Sequence, residues 1–285
     1  MRMTMPFIIA VVLGFTSVGA AAATDTLDRI RQSGEITLAY SPDSLPVSYT
    51  DANGSPTGYS VEICRRIVAH LKEVLGLEEL KASWITGNTP ERLQAVAAGK
   101  ADLECGTTTV TLDRQEEVDF SNFVFVESGG ILVRADAGIE RLTHLEGKKI
   151  AVTPGTTTEK RLRRELDKNA ISSEFVSIMD AGEGMVLLEK GDVDAVAGDR
   201  LVLVGRASGS DLRDKLALMK DQFSFDPYAF ALPRGDAAFR LEINRALAAL
   251  YRSDEIAKIF RQSFGTSVQP GELVVAIYLL YGFAD

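Results

Sequence analysis

The 285-residue chain contains only two histidines, two cysteines and one tryptophan. His70 and His144 stand far apart with no cysteine near either, which argues against a local metal cluster. Gly155-Thr156-Thr157-Thr158-Glu159 lacks the Lys-Ser/Thr that would make a turn of this kind a phosphate-binding P-loop, and no Gly-x-Ser-x-Gly nucleophile elbow is present. Basic charge is scarce as well. Lys and Arg number 31 against 40 Asp and Glu, a net charge of −9 that disfavours nucleic acid or an anionic membrane surface as partner. It does not disfavour an anionic ligand, because the local field of a site can oppose the net charge. Beyond the N-terminus, no apolar run approaches the ~20 residues of a membrane span.

What is present is ordinary globular composition, 46% hydrophobic and 25% charged, at a length that suits one large or two medium domains. Residues 1–23 read as an export signal. Arg2 supplies a positive start, Phe7 to Val18 a mostly apolar core, and Ala20 to Ala23 the small residues for cleavage near Ala22/Ala23. The mature protein is therefore expected to be exported. In such a compartment Cys64 and Cys105 can pair. Cys64 lies on a helical face with Val61, Ile67, Val68 and Leu71, and Cys105 ends an extended run. Both positions are expected to be buried, either as one disulfide or as two separate thiols.

Strand-like and helix-like segments alternate along the chain. Ile36 to Tyr40 reads as a strand, Asn53-Gly54 as a tight turn, Ser60 as the cap of a helix over Val61 to Leu75, and Lys81 to Ile85 as a strand. Thr89-Pro90 opens a further helix that stops at Gly99. A second cycle follows, with strands at Lys149 to Thr153, Glu174 to Met179 and Val193 to Ala197, and helices from the Thr156 to Glu159 capping box and over Glu183 to Lys190. The Lys160, Arg161, Arg163 and Arg164 run is expected on a solvated helix face. After the extended Ser224 to Leu232 come helices over Ala237 to Tyr251 and Asp254 to Phe264, and an apolar tail, Glu272 to Gly282, expected to pack on the body. This alternation predicts an α/β fold with largely parallel sheets, whose ligands sit at the carboxyl ends of strands.

The stretch Gly99 to Phe125 carries the most chemistry. Extended Ala101–Cys105 runs into Thr107, Thr108, Thr109 and Thr111, then Asp113-Arg114 with Glu116 as a capping-box pattern. Hydroxyls, free N–H groups at a helix start and one arginine make a carboxylate receptor; the alternative is a solvated surface arginine.

The blocks Asp102-Leu103-Glu104-Cys105-Gly106, Thr107 to Thr109, Asp113-Arg114 and Phe120-Ser121 resemble periplasmic solute-binding proteins of ABC importers, in particular the glutamate/aspartate-binding branch. The resemblance covers nearly the whole mature chain. It implies a type II fold of two α/β lobes with a cleft between them. The expected boundaries are 24–127 with 229–285 for lobe 1 and 128–228 for lobe 2, with crossings near Val126 to Gly130 and Asp226 to Phe230. It further implies that Arg114 pairs with a ligand's α-carboxylate, with Thr107 and Thr109 beside it. Asp199 would accept from the α-ammonium, and Thr156 or Thr157 would donate from the second lobe. Thr89 and Arg92 match the groups that hold the side-chain carboxylate. Two other contacts of that branch are replaced, an arginine by Ser41 and a histidine by Ala181. The expected ligand is glutamate or aspartate first, glutamine or asparagine next. The expected partner is an inner-membrane ABC permease, with no cofactor and a monomeric state. The competing expectation is an exported dehydratase for a prephenate- or arogenate-like acid, with Glu104 or Glu127 as its general acid or base.

Overall fold

The structure, a computed structural model, describes residues 25–211 and 213–283; the export signal expected at 1–23 lies outside them. In chain order, the first part holds α1 (Thr26–Ser33), β1 (Glu35–Tyr40), β2 (Asp43–Ser44), β3 (Ser48–Thr50), β4 (Pro56–Thr57), α2 (Tyr59–Val74), β5 (Lys81–Thr86), α3 (Thr89–Ala97), β6 (Leu103–Glu104) and α4 (Leu112–Gln115). The long β7 (Val118–Glu127) leads to β8 (Gly129–Arg134), β9 (Lys149–Val152), α5 (Thr157–Lys168), β10 (Glu174–Ser177), α6 (Ala181–Lys190), β11 (Ala195–Asp199), α7 (Arg200–Ser208) and β12 (Leu216–Leu218). The chain returns through β13 (Asp226–Pro233) to α8 (Ala237–Tyr251), α9 (Asp254–Phe264) and α10 (Glu272–Tyr281).

Two lobes result. In the first, β5, β1 and β6 form a parallel sheet in that order, with β13 against β6. One face buries Ile63, Cys64, Ile67 and Leu71 of α2 together with α8 and α9; the other buries Leu93 and Val96 of α3. Val274 and Ile277 of α10 join the first core, so the apolar tail packs on the body. The second lobe has the order β10-β9-β11-β8-β12, parallel through β11 and antiparallel after it. Its strands alternate between two cores, as a period of two requires. Ile131, Val133, Ile150 and Val152 face α5, whereas Leu132, Ala151 and Val196 face α6 and α7. Between the lobes, β7 and β13 pair antiparallel, with Glu127 opposite Asp226 and Val126 opposite Pro227.

Cys64 and Cys105 form a disulfide, with Cα atoms 6.2 Å apart, that ties α2 to the end of β6. Several local readings differ from what forms. The cap of α2 is Gly58, and the Ser60 hydroxyl instead donates to the Gly106 carbonyl at 2.8 Å. Asn88, not Thr89, caps α3 in a capping box with Glu91. The helix bearing Arg114 is one turn long and capped by Thr111, so it offers no useful dipole; the Asp113–Glu116 box does not form. The helix α7 and the short strand β12 had no expectation in the sequence.

Candidate functional site

The carboxyl ends of the parallel strands of both lobes meet at one cavity of about 320 Å³. Ser41 follows β1, Thr89 follows β5, and Thr107 and Thr109 follow β6. From the second lobe, Thr156 and Thr157 follow β9, Asp180 and Ala181 follow β10, and Asp199 ends β11. All nine positions singled out from the sequence, Ser41, Thr89, Arg92, Thr107, Thr109, Arg114, Thr156, Thr157 and Asp199, line this cavity. A parallel sheet aims its strand ends the same way, so residues distant in sequence converge without any local signal.

Arg114 is half-buried, and its Nη1 donates to the Thr109 carbonyl at 2.6 Å. Burial holds its guanidinium below the ordinary value, while the Glu104, Asp199 and Asp226 carboxylates pull it back up. Among the described residues no carboxylate lies within ion-pair distance of it, so the remaining N–H groups of this permanently charged fork are available to an anion. Opposite, Asp199 accepts from the Tyr228 hydroxyl at 2.5 Å and weakly from Thr158 at 3.5 Å. Burial pushes its carboxyl up to about 6, helped by Asp226 and opposed by Tyr228, Arg114 and Thr158. The cavity thus carries a cation on one lobe and an acid on the other, the electrostatic layout of a zwitterion site.

Hydroxyls and helix ends connect these two poles. The Thr109 hydroxyl donates to Asp226 Oδ1 at 3.2 Å and therefore accepts from Thr157, 3.2 Å away across the cleft. Thr156 caps α5, accepting from the Glu159 N–H at 3.2 Å. That helix is three turns long and presents its N-terminus to the cavity. Lys160 reaches Asp113 at 2.5 Å, a second link between the lobes.

Arg92 is placed differently from a free side-chain receptor. Only 2% exposed, it donates from Nε to Glu104 Oε1 at 2.7 Å, with Glu104 fully buried. Its other nitrogens donate to the Gly87 carbonyl and the Thr89 hydroxyl. The packing is tight enough that a Cβ on Gly106 would come within 2.3 Å of the Glu104 carboxylate. Glu104 is thereby committed to a structural pair, and Glu127 sits at the end of β7 with its carboxylate on the Ser128 N–H at 2.8 Å. Neither acid lines the cavity, so neither is placed there as the general acid or base of a dehydratase.

Sequence reasoning missed other residues of this region. Asp226, fully buried, pairs with Arg161 at 2.7 Å, so Arg161 is not on a solvated face as expected. Arg163 lies over the Phe175 ring, 3.8 Å from its centroid, and bonds Glu159. Asp43 and Arg206 form an ion pair across the cleft. These partners are 65 and 163 residues apart, and no spacing rule reveals them.

The family model described as bacterial extracellular solute-binding proteins, family 3, matches residues 36–266. An L-glutamate/L-aspartate-binding protein of Pseudomonas aeruginosa is 32% identical over 254 residues, 89% of this chain and 84% of that protein. A glutamate/aspartate import solute-binding protein of Salmonella typhimurium is 29% identical over 90% of this chain and 84% of its own length. Among solved structures, an ancestral amino-acid-binding protein described as a precursor of cyclohexadienyl dehydratase superposes with a TM-score of 0.72 at 24% identity, covering 84% of this chain and 99% of that one; this likeness speaks to the fold alone.

Proposed function

The chain belongs to the bacterial extracellular solute-binding proteins of family 3, and from that premise we propose that it captures a polar amino acid between its lobes and hands it to the permease of an ABC importer. Glutamate or aspartate ranks first and glutamine or asparagine next. The observation that supports this most is that Arg114, which has no carboxylate within ion-pair distance among the described residues, stands with a desolvated Asp199 on opposite lobes of one cavity. In this reading Arg114 grips the α-carboxylate with two parallel hydrogen bonds. Asp199 receives the α-ammonium, and Thr107, Thr109, Thr156 and Thr157 answer the remaining polar atoms. The side chain extends toward Ser41, Thr89 and Arg92. A ligand that touches both lobes binds the closed form better than the open one and shifts the population toward it. The lobes, 24–127 with 229–285 and 128–228, then turn about the β7–β13 crossing. Export to the periplasm follows removal of 1–23, and the protein acts as a monomer beside its permease.

A thermal-shift screen of the twenty amino acids tests this. Ligands that bind only the folded state raise the melting temperature in proportion to the logarithm of their excess over Kd. Glutamate, aspartate and their amides are expected to lead the ranking. A screen led by aliphatic or basic amino acids, or with no shift at all, would remove the assignment.

A further inference from the structure

We propose that Asp43 and Arg206 form a clasp that sets side-chain selectivity at the far end of the cleft. Its consequence is that an acidic amino acid and its amide bind within about ten-fold of each other. The inference rests on the amino-acid reading of the cleft given above.

The clasp joins the lobes. Asp43 Oδ2 accepts from the Gly182 N–H at 2.9 Å, and its backbone carbonyl accepts from Arg206 Nε at 3.1 Å and Nη2 at 2.8 Å. The Arg206 guanidinium also ion-pairs with the Asp43 carboxylate. The helices α6 and α7 thus converge on one residue of the first lobe. Their approach is close, since a Cβ on Gly205 would stand 2.7 Å from the Leu45 carbonyl oxygen. Asp43 itself lines the cavity.

Among the described residues, the rest of that end offers a ligand no free cation. Arg92 is answered by Glu104 inside the protein. Glu91 and Asp180 accept from the N–H groups of Asn88 and Glu183, at 2.8 and 3.0 Å, and remain anions on the cavity wall. Ser41 and Ala181 are neutral. A ligand side chain arriving here meets dipoles, paired ions and two carboxylates but no free cation, so a carboxylate gains little that a carboxamide does not. Closure at this end is held by the protein's own ion pair, not by a charge on the ligand.

Breaking the clasp from either side should bias selectivity in opposite directions. Arg206→Gln leaves the Asp43 carboxylate facing the cavity with only the Gly182 N–H, and glutamate is repelled where glutamine is not. Asp43→Asn leaves the Arg206 cation unanswered and favours glutamate. Calorimetric titration of the wild type and both variants with glutamate and glutamine at pH 7 reads the affinity ratio. The expected result is a wild-type ratio within about ten-fold, falling roughly ten-fold in Arg206→Gln and rising by a similar factor in Asp43→Asn. Opposite shifts cannot arise from general damage to the fold. The double variant, with both charges gone, is expected to return to the wild-type ratio. A wild-type preference well beyond ten-fold, or variants that leave the ratio unmoved or shift it the same way, would overturn the clasp while leaving amino-acid capture intact. If neither ligand binds the wild type, the underlying reading fails, and the clasp with it.

Discussion

Lowering the pH from 7 to 5 should weaken amino-acid binding about ten-fold, and Asp199 is the reason. Burial has pushed its carboxyl up to about 6. A ligand's α-ammonium is held by the ionised form, so affinity scales with the ionised fraction, roughly nine-tenths at pH 7 and one-tenth at pH 5. Glutamine is the right probe, because neither its side chain nor its α-groups titrate in this window. Other groups of the region stay quiet as well. Glu127, pushed up to about 8 mainly by burial, remains protonated throughout. Asp113 is held below its ordinary value by Lys160. Of the histidines, His70 pairs with Glu242 and His144 contacts the Gly138 carbonyl, both away from the cavity. Calorimetry at pH 7, 6 and 5 should therefore give a single-proton profile in the wild type. Asp199→Asn should bind more weakly at pH 7 and show no slope. A flat wild-type profile, or the same slope in Asp199→Asn, would refute the assignment of Asp199 to the ammonium.

Arg114→Ala should cost roughly 2–5 kcal/mol of affinity for every amino-acid ligand, since it leaves a buried carboxylate unanswered; titration of glutamate and glutamine against the variant checks this, with both expected to lose alike. Removing the disulfide by Cys64→Ala with Cys105→Ala should lower stability by about 4 kcal/mol, from the 41-residue separation it closes; urea unfolding of the variant beside the wild type measures it. Glu127→Gln acts through pH. A carboxyl whose folded value lies near 8, above its ordinary 4.5, favours the folded state below pH 4.5 and progressively loses that contribution up to pH 8. The variant, which cannot ionise, should therefore melt like the wild type near pH 4.5 and several degrees higher at pH 8.5; equal melting temperatures at pH 8.5 would count against it.

The fold was largely legible because its elements announce themselves locally. Cys64, Ile67 and Leu71 recur at helical spacing, and Asn53-Gly54 turns the chain between β3 and β4. Thr156 caps α5 as the Thr-to-Glu spacing indicates. The cavity residues were legible only through the family pattern, since Arg114 on a one-turn helix looks like any surface arginine until Thr109 and Asp199 are brought beside it. Long-range charge pairing left no trace in the sequence. Arg92 with Glu104, Arg161 with Asp226 and Asp43 with Arg206 are partners that the folded sheets create. They alter the reading of Arg92, which the resemblance offered to a ligand side chain, and of Arg161, expected on a solvated face.

The measurement that bears most directly on the zwitterion clamp is a calorimetric titration with glutamate beside N-acetylglutamate, which keeps both carboxylates but has no ammonium. If Arg114 and Asp199 hold the two backbone charges from opposite lobes, glutamate binds saturably with one site per chain and N-acetylglutamate does not bind. Equal binding of the two, or no binding of glutamate, would contradict the account.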